Sequence, residues 1–137
     1  MSEKGPHQAV LPEGWPRPKG YANGVVAEGR TLFIAGMIGW DAQGHFASDD
    51  FAAQARQALQ NLAEVLRAAG GSGEHVVRMT WYVTDKREYL AAGREIGQAF
   101  REIIGSYTVA MTAVEVRALM EDRAKVEIEA TAVLPPA

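Results

Sequence analysis

The sequence predicts a single α/β domain: one mixed sheet with two helices on one face. Three observations predict it. Helix-period and strand-period segments alternate in the order two strands, helix, strand, helix, two strands. A helix between strands makes a crossover, so parallel and antiparallel neighbours must share the sheet. The last alternating segment sets Glu127 and Glu129 opposite Val126, Ile128, Ala130 and Ala132. One face of that strand therefore packs a core, and the other meets water, a cavity or a partner.

Residues 1–19 read as an extended arm ahead of a domain over 20–137. Pro6, Pro12, Pro16 and Pro18 exclude a helix there. Val10, Leu11 and Trp15 lay the later part of the arm on a surface, and disorder is expected for the first few residues. Tyr21 to Ala27 and Thr31 to Gly36 follow as strands, with Glu28-Gly29-Arg30 as a hairpin loop. Asp41-Ala-Gln-Gly44 is a turn.

Ser48, Asp49 and Asp50 then offer N-cap oxygens and negative charge at the positive end of a helix dipole. Phe51, Ala55, Ala58, Leu59, Leu62, Val65, Leu66 and Ala69 recur at helical spacing, and Gly70-Gly71 stops the helix. In the next strand, Val77, Met79, Trp81 and Val83 alternate with Arg78, Thr80, Tyr82 and Thr84. Asp85 caps a second helix over about 86–104, whose stripe is Tyr89, Ala92, Ile96, Ala99, Phe100 and Ile103. Gly93 and Gly97 inside it each cost about 1 kcal/mol against Ala, which suggests close approach of a strand or ligand. Strands over 110–119 and 124–132 complete the sheet. Its uncovered face would carry Arg78, Thr80, Tyr82, Glu115, Arg117, Glu127 and Glu129 among Val and Leu, a mixture better explained by assembly than by open solvent.

The 137 residues suit one domain, and 47% hydrophobic with 23% charged residues is ordinary globular composition. The chain has no cysteine, which removes disulfides, thiolate zinc sites and cysteine nucleophiles. His7, His45 and His75 are scattered without ligand spacing, so no metal is expected. Ser48, Ser72 and Ser106 lack a paired His, which argues against a serine hydrolase. Gly36-Met-Ile-Gly39 lacks the Lys and spacing of a phosphate loop. A net charge of -3 provides no basic field for nucleic acid. No apolar run would span a membrane, and the N-terminus lacks a signal-peptide stretch, so a cytoplasmic protein is expected.

Five segments together resemble the reactive-intermediate deaminase family (Rid, YjgF-like, also called endoribonuclease L-PSP). They are Gly20-Tyr21, Leu32 to Gly36, Gln54 to Asn61, Val77 to Asp85, and Val114-Glu-Val116 leading to Val126 to Ala130. The resemblance runs from Gly20 to Leu134 and implies a fold similar to the Bacillus-type chorismate mutase, assembled as a homotrimer with clefts between subunits. It implies hydrolysis of imines and enamines such as 2-aminoacrylate to 2-keto acids and ammonia, without metal or cofactor. Carried over by position, Tyr21 matches a cleft Tyr, and Glu127 a strand Glu that positions water. Ala35 stands where Ser is common, Met37 where Gln is common, and Gly93 where Asn is common. Met111 stands where the family places an Arg that clamps the substrate carboxylate, a fork that Met cannot form.

These residues also have plainer readings. Spacing alone makes Glu127 an exposed strand carboxylate and Tyr21 a strand aromatic; the resemblance makes them the acid/base group and a ligand contact. Met111, Met37 and Ala35 could be core, but their aligned positions favour a pocket. Trp40, at a strand end, is expected as a cleft wall, and Trp81 as core. Glu129 is expected to pair with Lys125 or Arg117. Arg78, Arg117 and Arg123 are the candidates for a substitute anion handle.

The resulting expectation is a divergent, cofactor-free deaminase or hydrolase of an enamine, imine or related unsaturated metabolite. The alternative is a trimeric small-molecule-binding protein without turnover. The acidic charge and the lack of a basic-aromatic patch argue against ribonuclease activity.

Overall fold

The computed structural model describes residues 6–105 and 108–137. The expected disorder of the first residues and the reading of Ser106 fall outside the described residues. The elements run β1 (Gln8–Val10), β2 (Gly24–Val26), β3 (Arg30–Ile38), α1 (Phe51–Ala68), a short 3-10 turn (Gly73–His75), β4 (Val76–Val83), α2 (Lys86–Ala91), α3 (Gly93–Ile103), β5 (Ala110–Glu115) and β6 (Val126–Leu134).

The main sheet has the order β3-β6-β4-β5. β6 is antiparallel to both β3 and β4, and β5 is parallel to β4. The sheet is therefore mixed, with α1 crossing from β3 to β4 and α2–α3 from β4 to β5. Both long helices pack on one face and on each other. α1 starts where the Asp50 side chain accepts the Ala53 N–H at 2.9 Å. It buries Phe51, Ala55, Ala58, Leu59, Leu62 and Leu66. Gly70, at φ +84°, turns the chain out of the helix. The sheet contributes Ile34, Met79, Trp81, Val83, Ile128, Ala130 and Ala132 to the same core.

The predicted hairpin of 21–27 with 31–36 does not form. β2 pairs instead with β1 of the arm, antiparallel. Ala22 bridges to Ala110 at the start of β5, and its N–H bonds the Val109 carbonyl at 2.9 Å. β5 and β3 are opposite edges of the sheet, so residues 22–30 cross its end rather than run back along β3. The arm follows them there: His7 Nε2 lies 3.1 Å from the His75 carbonyl. Gly29, at φ +145°, fits this crossing because a Cβ would overlap the Leu134 carbonyl.

The single predicted helix over 86–104 is two. Ala92, at φ −94° and ψ 14°, ends α2 and begins α3 beside the weak helix former Gly93. An irregularity between Val76 and Arg78 puts Val76, not Val77, in the core. Glu115 is not on the uncovered sheet face: it pairs in register with Val83, and its Oε1 accepts the Lys86 N–H at the start of α2, at 2.8 Å. No helix among the described residues is long and apolar enough to cross a membrane.

Candidate functional site

Register decides which candidate residues can meet. Met79 lies opposite both Ala130 and Met111, so Met111 faces the helices. Tyr82 lies opposite Glu127, so Glu127 faces the other way. Met111 and Glu127 sit on opposite faces of one sheet and cannot share a pocket within one chain.

On the helix side, the start of the domain, α2–α3 and β5 enclose a cleft of about 610 Å³. Tyr21, Gly93 and Met111 line it together, without Ala35, Met37 and Trp40, which the sequence places with them. Its floor is aromatic. The Tyr89 ring lies edge-on to Trp81 at 6.0 Å and to Phe51 at 6.3 Å. Burial pushes the Tyr89 phenol above its ordinary pKa, so it is a neutral hydroxyl at physiological pH. A Cβ built on Gly93 would meet nothing within 4 Å. No strand approaches Gly93, contrary to one reading of its spacing, and the missing side chain leaves open space in the cleft. Trp81 is only 2% exposed, yet its indole N–H has no acceptor among the described residues. Such an orphan costs about 1–3 kcal/mol. Lys19 and Arg101 complete the lining.

On the opposite face, Glu127 lies against the backbone of Gly36. Any Cβ at position 36 would overlap its carboxylate. Ala35 and Gly36 fall in the register irregularity between Ile34 and Met37 that brings β3 this close to Glu127. Next to Glu127, the Tyr82 hydroxyl donates to Glu129 at 3.0 Å. That bond, followed by desolvation and the charges of Glu129 and Glu127, raises the Tyr82 pKa above its ordinary value. Glu129 is thus paired with Tyr82, while Lys125 bonds Glu88 at 3.3 Å. Phe33, which is 80% exposed, pairs with Thr131 on the same face, beside Arg78.

The remaining candidates lie elsewhere. Met37 packs against the core. The Trp40 ring lies against Phe46 at 5.9 Å, tilted by 45°, in the β3–α1 loop, and the Trp40 carbonyl accepts from Asn61 at 2.8 Å. Arg123 is held by Asp49 at 2.8 Å and lies over the Phe46 ring. Arg117 lines a surface pocket shared with Arg123 and Lys125. None of Arg78, Arg117 and Arg123 lines the Met111 cleft. The cations that do, Lys19 and Arg101, carry no sequence signal, because only folding places an arm residue beside α3.

Sequence reasoning also missed the brace at the end of the sheet. Gln54 is buried, and its Nε2 donates to the Ser48 and Arg123 carbonyls, each at 3.0 Å. Its Oε1 accepts the Lys125 N–H at 2.8 Å, two residues before Glu127. Asn61 holds the end of β3 through the Ile38 and Trp40 carbonyls. The available signal was two amides, seven residues apart, on an otherwise aliphatic helix face.

Comparison with known proteins places the chain by family and fold. The sequence profile described as "Endoribonuclease L-PSP" matches residues 16–134. A human 2-iminobutanoate/2-iminopropanoate deaminase is 32% identical over 85% of this chain and 81% of its own. The crystal structure of YyfB from Yersinia pestis, described as a conserved Rid family protein of unknown function, superposes with a TM-score of 0.82 at 36% identity. It covers 94% of this chain and 99% of that one. Escherichia coli TdcF, crystallised with bound serine, superposes with a TM-score of 0.69 at 31% identity, over 93% and 98%.

Proposed function

The chain belongs to the Rid family, whose profile is described as endoribonuclease L-PSP, and from that premise we propose that it is a divergent, cofactor-free hydrolase deaminating an imine, enamine or related unsaturated small metabolite. The observation that carries this reading is the seating of Glu127 against Gly36, which holds a carboxylate, an acid/base group, on the bare backbone of β3. Glu127 takes a proton from water as the water oxygen adds to the C=N carbon, and returns it to nitrogen. It then carries the hydroxyl proton to the amine as the C–N bond breaks, which leaves a carbonyl and ammonia. An enamine first gains a proton at carbon to become the imine.

The working site is completed between copies. The cleft of Tyr21, Gly93 and Met111 and the face of Glu127 are two halves on opposite sides of one sheet, so a second chain must bring them together. Homotrimers are typical of the family, and the exposed Phe33 beside Arg78 and Tyr82 suits burial in such an interface. Light scattering after size exclusion is expected to give three times 14.8 kDa. A monomeric mass at micromolar concentration would sink the shared site.

The second reading, a trimeric binding protein without turnover, is favoured by the apolar cleft around Met111. Ammonia release across a panel of imines generated by an amino-acid oxidase separates the two. On any substrate so found, Glu127→Gln should abolish turnover and leave the fold intact. Gly36→Ala should do nearly the same, because its Cβ displaces the end of a flexible side chain while the backbone there is unstrained. Full activity in Glu127→Gln would make Glu127 structural only. Activity lost in Glu127→Gln but kept in Gly36→Ala would show that the seat on Gly36 is not the working position.

A further inference from the structure

We propose that the Tyr89 hydroxyl is the specificity-determining donor of the cleft under α3, and that the cleft takes a small uncharged ligand with an apolar body whose C=O or C=N group accepts from it. This names the ligand class of the site proposed above and rests on that reading for turnover, though not for binding.

Three observations carry it. The first is an open, unpartnered hydroxyl. Tyr89 lines the cleft, and its side chain makes no hydrogen bond among the described residues. The unpartnered side-chain atoms sealed from solvent among those residues are His7 Nδ1 and Trp81 Nε1. The Tyr89 hydroxyl is not one of them, so it keeps an opening. Its ring is set edge-on to both Phe51 and Trp81, which holds the hydroxyl in place before anything binds. Burial keeps it protonated, so it donates.

The second is the polarity of the wall. The buried and half-buried residues of the lining are Trp81, Tyr89, Ile96, Gly97, Phe100 and Met111. Only Trp81 and Tyr89 among them carry a side-chain N–H or O–H, and the indole N–H has no surface to offer. The charged lining residues, Lys19 and Arg101, are exposed. A charge carried to the inner wall would lose its hydration without meeting an opposite charge. A hydrocarbon laid over Tyr89 would strip the hydroxyl of any acceptor, and a C=O or C=N supplies one.

The third is Gly93, four residues after Tyr89. The Ala92 N–H bonds the Glu88 and Tyr89 carbonyls, and the Ile96 N–H bonds the Ala92 carbonyl, so a helical path runs through the α2–α3 junction. Residues 89 and 93 therefore share a face. A helical side chain covers the turn before it, so a side chain at position 93 would lie over Tyr89. Glycine leaves that phenol uncovered, with nothing within 4 Å of the place a Cβ would take.

The test is a chemical-shift titration of the intact protein with two isosteric probes, acetophenone and 2-phenylpropene, which has a methylene in place of the carbonyl oxygen. Wild type should bind acetophenone about three- to tenfold more tightly, the factor that a neutral hydrogen bond supplies. Tyr89→Phe keeps the ring and its packing. It should weaken acetophenone by that factor, leave 2-phenylpropene unchanged and preserve the thermal melt. Gly93→Leu introduces a better helix former and should weaken both probes without lowering the melt. Should Tyr89→Phe fail to fold, the wild-type comparison of the two probes still decides. The proposal is overturned by equal wild-type affinity for the two probes or by no saturable binding of acetophenone. A folded Tyr89→Phe that binds acetophenone as wild type does overturns it too, as does ketone affinity untouched in Gly93→Leu. The preference intact with no turnover on any imine sinks the hydrolase reading alone. Turnover without the preference sinks the Tyr89 assignment alone.

Discussion

Replacing Gln54 with leucine is expected to destabilise the protein by about 3–5 kcal/mol, although the change keeps size and adds hydrophobicity. Gln54 is 1% exposed and makes three hydrogen bonds that tie α1 to the Ser48 loop and to the strand entry at Arg123–Lys125. Leucine removes all three at once and leaves an N–H and two carbonyls without their partner. The Gln54 Cβ and backbone also sit under Gly39, where an added Cβ would come within 2.6 Å of the Gln54 Cβ, so the strand end and the helix have no slack. Denaturant unfolding should show a lower midpoint with an unchanged slope. Because Glu127 follows this brace by two residues, turnover on any substrate should fall by more than the unfolded fraction explains. A loss below about 0.5 kcal/mol would mean that water replaces the amide and that the brace is dispensable.

Much of the fold was readable because its local signals agree with each other. Asp50 and Gly70 bracket α1 as capping rules require, and β6 buries its even-numbered residues through Ala132. The misses have physical causes. Strand propensity in 21–27 says that the segment is extended, not which neighbour it finds, and its partners are the arm and the far edge of the sheet. A register irregularity reverses which parity is buried, so Val76 and not Val77 enters the core. The helix over 86–104 was continuous by periodicity, and only its packing breaks it at Ala92. The site was harder still. Ala110-Met-Thr-Ala-Val114 is nearly uniform in polarity, so nothing in it says which face Met111 takes; that depends on the parallel register with β4. Glu127 was legible as a polar-face acid, but its seat on Gly36 depends on the irregularity in β3.

The wild-type protein is expected to hydrolyse 2-aminoacrylate poorly. An Arg–carboxylate contact in a partly desolvated cleft contributes about 1.5–3 kcal/mol, so a chain with Met111 in its place should be roughly ten- to hundredfold less effective on so small a substrate. Two features of the cleft point the same way. Its open space over Gly93 offers a two-carbon body little to pack against, and its cations stand on the arm and on α3 rather than on β5. Met111→Arg should recover part of the deficit and no more. The new guanidinium would share the cleft with Lys19 and Arg101, so it gains an anion handle against like-charge repulsion, and Gly93 still supplies no polar contact. The measurement is clearance of 2-aminoacrylate generated by a coupled dehydratase, with wild type, Met111→Arg and an Arg-containing relative assayed side by side. Wild-type turnover equal to that of the relative would show that a charge already present grips small carboxylates, which makes the substitution at position 111 neutral.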